Sequence, residues 1–204
     1  MLSWKGDKKN NNMTQKTFNL ILSGVGGQGI ITLLQVIDEA AFIEGYEVRS
    51  SELHGLSQRG GSVEAHVRFG KKVDSPMVSN GQADLIIALE SLEGLRESAK
   101  AGKHTKIIVN RYSLPFLNSL TAQEVEKKLK DSKKDFDLVP ASETCKNKLQ
   151  NEVVCTLYML GYALSKSLIP LKKESILRAI KNVIPEKYLD LNINAFELAG
   201  ENVN

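Results

Sequence analysis

Hydrophobic residues along the chain fall into short apolar runs, which alternate with longer stretches that place an apolar side chain every three or four positions. A short, nearly continuous run is typical of a strand covered on both faces, whereas spacing by three and four is typical of a helix with one buried face. The runs and the alternating segments predict strands over residues 18–23, 46–52, 63–70, 83–90, 106–110 and 136–142. The helical spacing predicts helices over residues 28–43, 91–102, 122–130, 148–166, 172–182 and about 186–200.

The order of these elements predicts the fold class. Apolar strands that alternate with helices are typical of an α/β protein, in which helices cover both faces of a mostly parallel sheet. The chain passes from Glu52 to Val63 through a polar, glycine-rich segment without a helix, so we expect residues 63–70 to form a hairpin or antiparallel strand. The sequence therefore predicts a Rossmann-like α/β domain whose C-terminal part, residues 148–200, is helical.

Two local signals mark helix ends. Gly45 follows the first predicted helix and is expected to end it. Thr121 stands three positions before Glu124, which is the spacing of a capping box, and predicts that a helix begins directly after Thr121.

Length and composition favour one globular domain. The chain has 204 residues, of which 42% are hydrophobic, so it can bury an ordinary core. We expect residues 17–204 to form this domain, preceded by a disordered basic tail over residues 1–16. The net charge of +3 belongs to that tail, because the remainder carries 23 basic and 23 acidic residues. A neutral body lacks the electrostatic footprint of a nucleic-acid-binding protein.

Membrane and disulfide chemistry are both disfavoured by the sequence. No apolar run approaches the roughly 18 residues that span a bilayer, and no apolar segment follows the polar N-terminus as it would in a signal peptide. The two cysteines, Cys145 and Cys155, are too few for a disulfide framework or a metal knuckle. We therefore expect a cytoplasmic protein with reduced thiols and without a bound metal.

A glycine-rich loop, SGVGGQGI, follows the first predicted strand and precedes the first predicted helix. It contains Gly24, Gly26, Gly27, Gln28 and Gly29. Successive glycines allow backbone N–H groups to approach a phosphate closely, and the start of a helix adds a partial positive charge. The loop therefore predicts a site for a phosphate-bearing ligand, although glycines at this place also serve a tight crossing of strand and helix.

One alternative is a stand-alone protein that binds NAD(P) or another nucleotide. Glu52 lies 23 residues after Gly29, close to the position of the acid that binds the ribose in nicotinamide enzymes. However, the glutamine before the third glycine is unusual for that fingerprint. The three histidines are scattered and form no recognisable hydride-transfer site: His54, His66 and His104.

A second motif, ELHGLSQRGGS, runs from Glu52 to Ser62 and leads into the strand that ends at Arg68. Together with GVGGQG, it resembles the gamma-type domain of 2-oxoacid:ferredoxin oxidoreductases, and most of all the small subunits of the indolepyruvate-type branch. The resemblance continues through ADLIIALE and the predicted helix that contains Leu160 and Gly161, so it covers about residues 18–185.

The resemblance implies a reaction whose cofactors this chain lacks the residues to bind. Members of this family decarboxylate a 2-oxo acid on thiamine diphosphate, pass electrons through 4Fe–4S clusters to ferredoxin and transfer the acyl group to coenzyme A. Two cysteines cannot supply a four-thiolate cluster site. Gly6, Asp7 and the asparagines at 10–12 only mimic a thiamine motif, because the second glycine is missing and the spacing is too short. The resemblance thus implies an accessory subunit without catalytic residues, whose large alpha partner carries thiamine diphosphate and the clusters.

The resemblance also implies roles for both motifs. The Gly24–Gly29 loop is expected to meet the pyrophosphate of coenzyme A. Arg59 offers a fork of donors to a phosphate or carboxylate, and Gly60 and Gly61 let the backbone approach it. Further hydrogen bonds are expected on the same rim from His54, Ser57 and Gln58. Contact with the partner subunit is an equally open interpretation of this segment. We expect Arg68 to be an exposed strand-end residue, and the isolated chain is a candidate homodimer.

Overall fold

The structure is a computed structural model that describes residues 16–55, 60–114 and 120–201. The predicted N-terminal tail therefore lies outside the described residues, except for Lys16, whose Nζ lies 2.9 Å from Oδ1 of Asp84.

Six strands and seven helices make up the part of the chain that the structure describes. The strands are β1 (Phe18–Val25), β2 (Glu47–His54), β3 (Ser62–Gly70), β4 (Leu85–Ala88), β5 (Lys106–Asn110) and β6 (Asp135–Val139). The helices are α1 (Ile30–Ile43), α2 (Ser91–Ser98), α3 (Ala122–Asp131), α4 (Ala141–Leu149), α5 (Cys155–Ser165), α6 (Lys173–Val183) and α7 (Glu186–Glu201).

The strands form one mixed sheet in the order β2-β3-β1-β4-β5-β6. Strands β1, β4, β5 and β6 are parallel, whereas β3 pairs antiparallel with both β1 and β2. The mostly parallel α/β sheet and the antiparallel strand at 63–70 are thus confirmed. Because the parallel strands run in the same direction, their carboxyl ends meet at one edge, which is where such sheets usually bind ligands.

The central strands are buried on both faces, as their continuous apolar runs predict. Leu20 and Leu22 of β1 point into a large core that contains residues of α1, α4, α5, α6 and α7. Ile21 points into a smaller core on the other face, where α2 packs so closely that a Cβ on Gly94 would lie 2.8 Å from Val109. Helices therefore cover both sides. The apolar stripe of α1 alone buries four leucine and isoleucine side chains, each stabilising the fold by about 1.5–3 kcal/mol: Ile30, Leu33, Leu34 and Ile37.

The helix predicted over 148–166 starts too early, because α5 begins only at Cys155, and the extension of the last strand to residue 142 is wrong. Strand β6 ends at Val139, and Pro140 caps a separate helix, α4. That helix ends because Gln150 adopts a left-handed conformation with φ 55°, and the Asn151 side chain accepts a hydrogen bond of 3.0 Å from the Val153 N–H to form a turn. The helical C-terminal part thus begins at residue 141. Val153 falls within the predicted helix but lies in the turn before α5 and is 69% exposed.

The two helix ends predicted from local signals are confirmed, one at the start of α3 and one at the end of α1. Thr121 and Glu124 form the predicted capping box, with Glu124 Oε2 accepting from the Thr121 N–H at 2.8 Å. Gly45 follows α1 with φ 83°, a conformation that glycine adopts without strain. None of the helices in the described residues is long and apolar enough to span a membrane.

Candidate functional site

The glycine loop lies at the carboxyl edge of the sheet, where it joins β1 to α1. Gly27 has φ 103° and Gly29, the N-cap of α1, has φ 84°. L-residues with a side chain rarely adopt such values, so these two positions require glycine for the backbone turn itself.

Gln28 holds the loop together with its side chain. Its Oε1 accepts a hydrogen bond of 2.8 Å from the Val25 N–H, and its Nε2 lies 3.5 Å from the Leu89 carbonyl oxygen at the end of β4. Gly24 makes room for this arrangement, because a Cβ there would lie 2.8 Å from Gln28 Oε1. Both polar groups of the glutamine side chain are therefore used within the protein.

Thr156 in α5 holds the glycine loop by a hydrogen bond to its backbone. Its Oγ1 donates a hydrogen bond of 2.8 Å to the Gln28 carbonyl oxygen, and the same atom would lie 3.4 Å from a Cβ on Gly29. The sequence pattern does not indicate this role for Thr156, because the residue lies 128 positions from the loop and belongs to no local motif.

The two glycine segments predicted from the sequence meet in the structure. The Gly26 N–H donates to the Gly61 carbonyl oxygen at 2.9 Å, and the Gly60 N–H donates to the Gly26 carbonyl oxygen at 3.4 Å. The pairing continues the β1–β3 ladder, in which Val25 lies opposite Ser62. The two segments therefore form a single surface.

Not every predicted site residue can be placed on this surface. The structure brings together Gly24, Gly26, Gly27, Gln28, Gly29, Gly60 and Gly61. The predictions for Ser57, Gln58 and Arg59, and for the side chain of His54, lie outside the described residues.

The loop has the geometry of an anion site. Gly27 is exposed, and among the described residues no acceptor is found for the N–H groups of Gly27 and Gly29. Helix α1 begins directly after them, is 14 residues long and has no acidic side chain in its first turn. Free N–H groups beside an uncompensated helix N-terminus attract phosphate or carboxylate groups.

A cavity of about 130 Å³ adjoins the loop. It is lined by Gly27, Gln28, Tyr112, Ser142, Glu152, Val153 and Cys155. Burial, with the Glu152 carboxylate as a second cause, raises the pKa of Tyr112, and burial raises the pKa of the Cys155 thiol. Both groups therefore stay protonated near neutral pH, and the thiol is not an activated nucleophile.

Asn110 organises the same edge from the end of β5. It is fully buried, its Nδ2 donates to the Leu89 carbonyl oxygen at 3.1 Å and to Ser142 Oγ at 2.8 Å, and its Oδ1 accepts from the Ser142 N–H at 3.1 Å. These bonds fix the ends of β4 and β5 against the start of α4. The sequence predicted the strand that Asn110 ends but not this role.

The position of Glu52 argues against a nicotinamide site. Glu52 is exposed on β2, and β3 lies between β2 and β1. With neighbouring strands about 4.8 Å apart, β2 runs roughly 10 Å from the strand that carries the glycine loop. An acid that binds the ribose stands on the strand next to the loop in dinucleotide-binding folds, so this alternative is not favoured.

Arg68 differs from its prediction. It is half-buried instead of exposed, because Nε donates to Asn19 Oδ1 at 2.8 Å and Nη1 donates to the Ser75 carbonyl oxygen at 2.8 Å. The arginine therefore fastens the chain after β3 to the start of β1.

No metal site is found in the described part of the chain, where no three His, Cys, Asp or Glu side chains form a suitable group. Cys145 and Cys155 are both buried free thiols, and burial raises the pKa of Cys145 to about 12.

The sequence of the chain is similar to those of known oxidoreductase subunits. Residues 19–201 match the model of the family described as pyruvate ferredoxin/flavodoxin oxidoreductase. The chain is 34% identical over 190 residues to the indolepyruvate oxidoreductase subunit IorB of Thermococcus kodakarensis, an alignment that covers 90% of this chain and 94% of that protein. It is also 29% identical to the common gamma subunit of the pyruvate/ketoisovalerate oxidoreductases of Pyrococcus abyssi, over 87% of this chain and 92% of that one.

Solved structures share the fold. The gamma subunit of a keto/oxoacid ferredoxin oxidoreductase from Geobacter sulfurreducens superposes with a TM-score of 0.67 and 23% identity, covering 90% of this chain and 96% of that chain. The 2-oxoglutarate:ferredoxin oxidoreductase of Magnetococcus marinus, solved with 2-oxoglutarate, coenzyme A and succinyl-CoA bound, gives a TM-score of 0.68 at 18% identity. That match covers 94% of this chain but 32% of the other, so the fold here corresponds to one part of a larger polypeptide.

Proposed function

The chain belongs to the pyruvate ferredoxin/flavodoxin oxidoreductase family, and we propose that it is the small subunit of an indolepyruvate-type enzyme that converts a 2-oxo acid to an acyl-CoA and reduces ferredoxin. The indolepyruvate assignment rests on the 34% and 33% identity to the IorB subunits of Thermococcus kodakarensis and Pyrococcus horikoshii, against 29% to a pyruvate/ketoisovalerate gamma subunit. In this proposal the chain is an accessory subunit in the cytoplasm and is not active alone.

The redox cofactors belong to the large partner subunit in this proposal. A 4Fe–4S cluster needs four thiolates, whereas this chain has two cysteines, both buried as free thiols. Two thiols do not fit a 4Fe–4S cluster, so no electron-transfer step is assigned to this chain. The proposal places the decarboxylation step on the partner subunit as well.

The role of this chain is to bind coenzyme A through the glycine surface formed by Gly24–Gly29 with Gly60 and Gly61. The single observation that carries the proposal is the pairing of Gly26 with Gly60 and Gly61 beside the N-terminus of α1. The Gly27 and Gly29 N–H groups have no acceptor among the described residues, and the helix end adds a partial positive charge. Both features suit the diphosphate of coenzyme A. Arg59, between the two described parts of the second motif, would add a bidentate donor.

The glycine surface also has to face the partner subunit. The thiol of coenzyme A must reach an acyl group formed on the partner, so its diphosphate has to bind near the boundary between the subunits. Two exposed apolar side chains beside the loop support this orientation: Ile31 in the first turn of α1 and Val153 at the rim of the cavity.

Reconstitution with the large subunit tests the assignment. We expect co-expression to give a brown complex that reduces a one-electron dye only when a 2-oxo acid and coenzyme A are both present. The Gly27→Asp variant should raise the KM for coenzyme A by about tenfold or more, because a carboxylate then faces the diphosphate.

Gly81→Asp is the matched control. Gly81 is also exposed and has φ 76°, but it lies before β4 at the opposite edge of the sheet. Both variants place the same side chain on a left-handed glycine, so only a site-specific effect separates them. Equal KM values for coenzyme A in the two variants, or full activity of the large subunit without this chain, would refute the proposal.

A further inference from the structure

Helix α2 has an unusually polar buried face. Glu90, Glu93 and Glu97 are each less than 7% exposed, although glutamate is rarely buried without a partner. Two of them lie against β3, whose side chains on this face are polar as well. Glu93 contacts Ser62, and Glu97 contacts Lys100, which in turn pairs with Glu64.

Glu93 holds Ser62 by a short hydrogen bond. Ser62 Oγ donates to Glu93 Oε2 at 2.6 Å, and the other carboxylate oxygen of Glu93 pairs with Arg96 Nη1 at 2.5 Å. A hydrogen bond to a carboxylate is stronger than one between neutral groups. Glu93 also stands in the first turn of α2, where the helix dipole favours its negative charge.

Ser62 lies at the junction of the two glycine segments. It follows Gly61, whose carbonyl oxygen accepts from the Gly26 N–H, and it pairs in the sheet with Val25, the residue that the Gln28 side chain holds. The Ser62–Glu93 bond therefore joins α2 to the place where the second glycine segment meets the first.

We propose that Glu93 is a positioning residue for coenzyme A binding, which acts through Ser62 to hold Gly60 and Gly61 against Gly26. The inference rests on the proposed function of the glycine surface and adds the residue that fixes its shape. Glu93 is itself a buried residue of α2, so in this proposal it acts through Ser62 and not by direct contact with the ligand.

The rest of β3 has separate attachments, which makes the role of Ser62 testable. His66 is buried and accepts a hydrogen bond of 2.9 Å at Nδ1 from the Val78 N–H, so its Nε2 carries the proton that faces Glu64 Oε1 at 2.5 Å. Glu64 also pairs with Lys100. We therefore expect removal of the Ser62 hydroxyl to loosen the glycine end of β3, which keeps only its backbone pairing with β1, and to leave the remainder anchored.

The first test is Ser62→Ala in the assembled complex. We expect the KM for coenzyme A to rise about five- to tenfold, as the loss of one charge-assisted hydrogen bond implies, while kcat at saturating coenzyme A changes less than about twofold. Ser62→Thr keeps the hydroxyl group and should restore the KM. Glu93→Ala should match Ser62→Ala, and the double variant should add nothing further.

Ser50→Ala is the matched control for this change. Ser50 Oγ donates to Asp38 Oδ2 at 2.6 Å, which is the same kind of bond at the same length, but it joins β2 to α1 away from the glycine segments. This variant should leave the KM for coenzyme A unchanged.

Hydrogen exchange in the same complex distinguishes a failure of the positioning role of Glu93 from a failure of the proposed coenzyme A site. In Ser62→Ala, the amides of Gly26 and Gly60 should exchange faster, and in Ser50→Ala they should not. Unchanged exchange at these amides would overturn the positioning role of Glu93. Faster exchange with an unchanged KM would instead contradict the binding of coenzyme A at the glycine surface, and with it the role of Glu93 in that binding.

Discussion

Replacing Gly24 by alanine tests whether the Gln28 side chain holds the glycine loop. Gly24 lies in β1 with an ordinary backbone conformation, so the variant meets no torsional penalty. A Cβ there would instead lie 2.8 Å from Gln28 Oε1, 3.0 Å from Ile30 Cδ1 and 3.2 Å from Leu89 Cβ. The nearest atom is the end of a flexible side chain, so we expect Gln28 to be displaced.

The cost of this displacement follows from the contacts. Moving Gln28 Oε1 away breaks its hydrogen bond to the Val25 N–H, and an unpaired donor costs about 1–3 kcal/mol. Tight packing against Ile30 and Leu89 adds about 1 kcal/mol or more. The free energy of unfolding should therefore fall by about 2–4 kcal/mol.

A double-mutant cycle measures the coupling directly. In a Gln28→Ala background the hydrogen bond is already lost and the clash with Oε1 is gone, so Gly24→Ala should cost only about 1 kcal/mol. Urea unfolding of the full chain, followed by far-UV circular dichroism, gives all four stabilities. Gly55→Ala is the control, because among the described residues a Cβ there meets nothing within 4 Å, and it should change stability by less than about 0.5 kcal/mol. Effects of Gly24→Ala and Gln28→Ala that simply add would refute the role given to Gln28.

Three further predictions concern other parts of the structure. Thr156→Val should destabilise the chain by about 1–2 kcal/mol in urea unfolding, because it leaves the Gln28 carbonyl oxygen without its donor, whereas Thr156→Ser keeps the donor and should not. Equal stabilities of the valine and serine variants would contradict this. Burial raises the pKa of Asp38 to about 6 from 3.8, so the folded state binds the Asp38 proton more tightly than the unfolded state does. The stabilisation of the fold by this protonation is complete below pH 3.8 and is lost as the pH rises through 6. Asp38→Asn should therefore be more stable than the parent by about 1–2 kcal/mol at pH 8 and equal to it near pH 3, and a pH-independent difference would refute the assignment. Arg59→Ala should raise the KM for coenzyme A in the complex by about tenfold or weaken co-purification of the subunits, and no change in either would count against both roles of Arg59.

The central strands could be predicted because each of them is a nearly continuous run of apolar residues in the sequence. Strands β1, β4 and β5 are covered on both faces, so nearly every side chain is apolar and the runs stand out from their surroundings. The antiparallel β3 was predictable for a different reason, since only a glycine-rich segment separates it from β2 and a parallel crossover needs a dozen or more residues.

The break between α4 and α5 could not be predicted from periodicity. Val153, Val154 and Leu157 continue the apolar spacing of a helix, but the left-handed Gln150 and the turn made by Asn151 interrupt the helix before them. Apolar spacing reports which residues a helix would bury and not whether the backbone remains helical between them.

The glycine segments of the candidate site were predictable, whereas their supports were not. Local glycine spacing identifies a turn, so Gly26 and Gly61 could be singled out from the sequence. The supports are single hydrogen bonds across long sequence separations: Ser62 to Glu93 spans 31 residues and Thr156 to Gln28 spans 128. Serine, threonine and glutamate are common at the surface, so nothing in their local pattern distinguishes these three.

The most direct test of the central claim compares coenzyme A with pantetheine, which has the reactive thiol but no diphosphate, as acyl acceptors for the assembled complex. If the glycine surface binds the diphosphate, the parent complex should prefer coenzyme A strongly, and Gly27→Asp should lower kcat/KM for coenzyme A towards the value for pantetheine while leaving pantetheine unchanged. A Gly27→Asp complex that loses activity with both acceptors equally, or that keeps the full preference for coenzyme A, would contradict the claim.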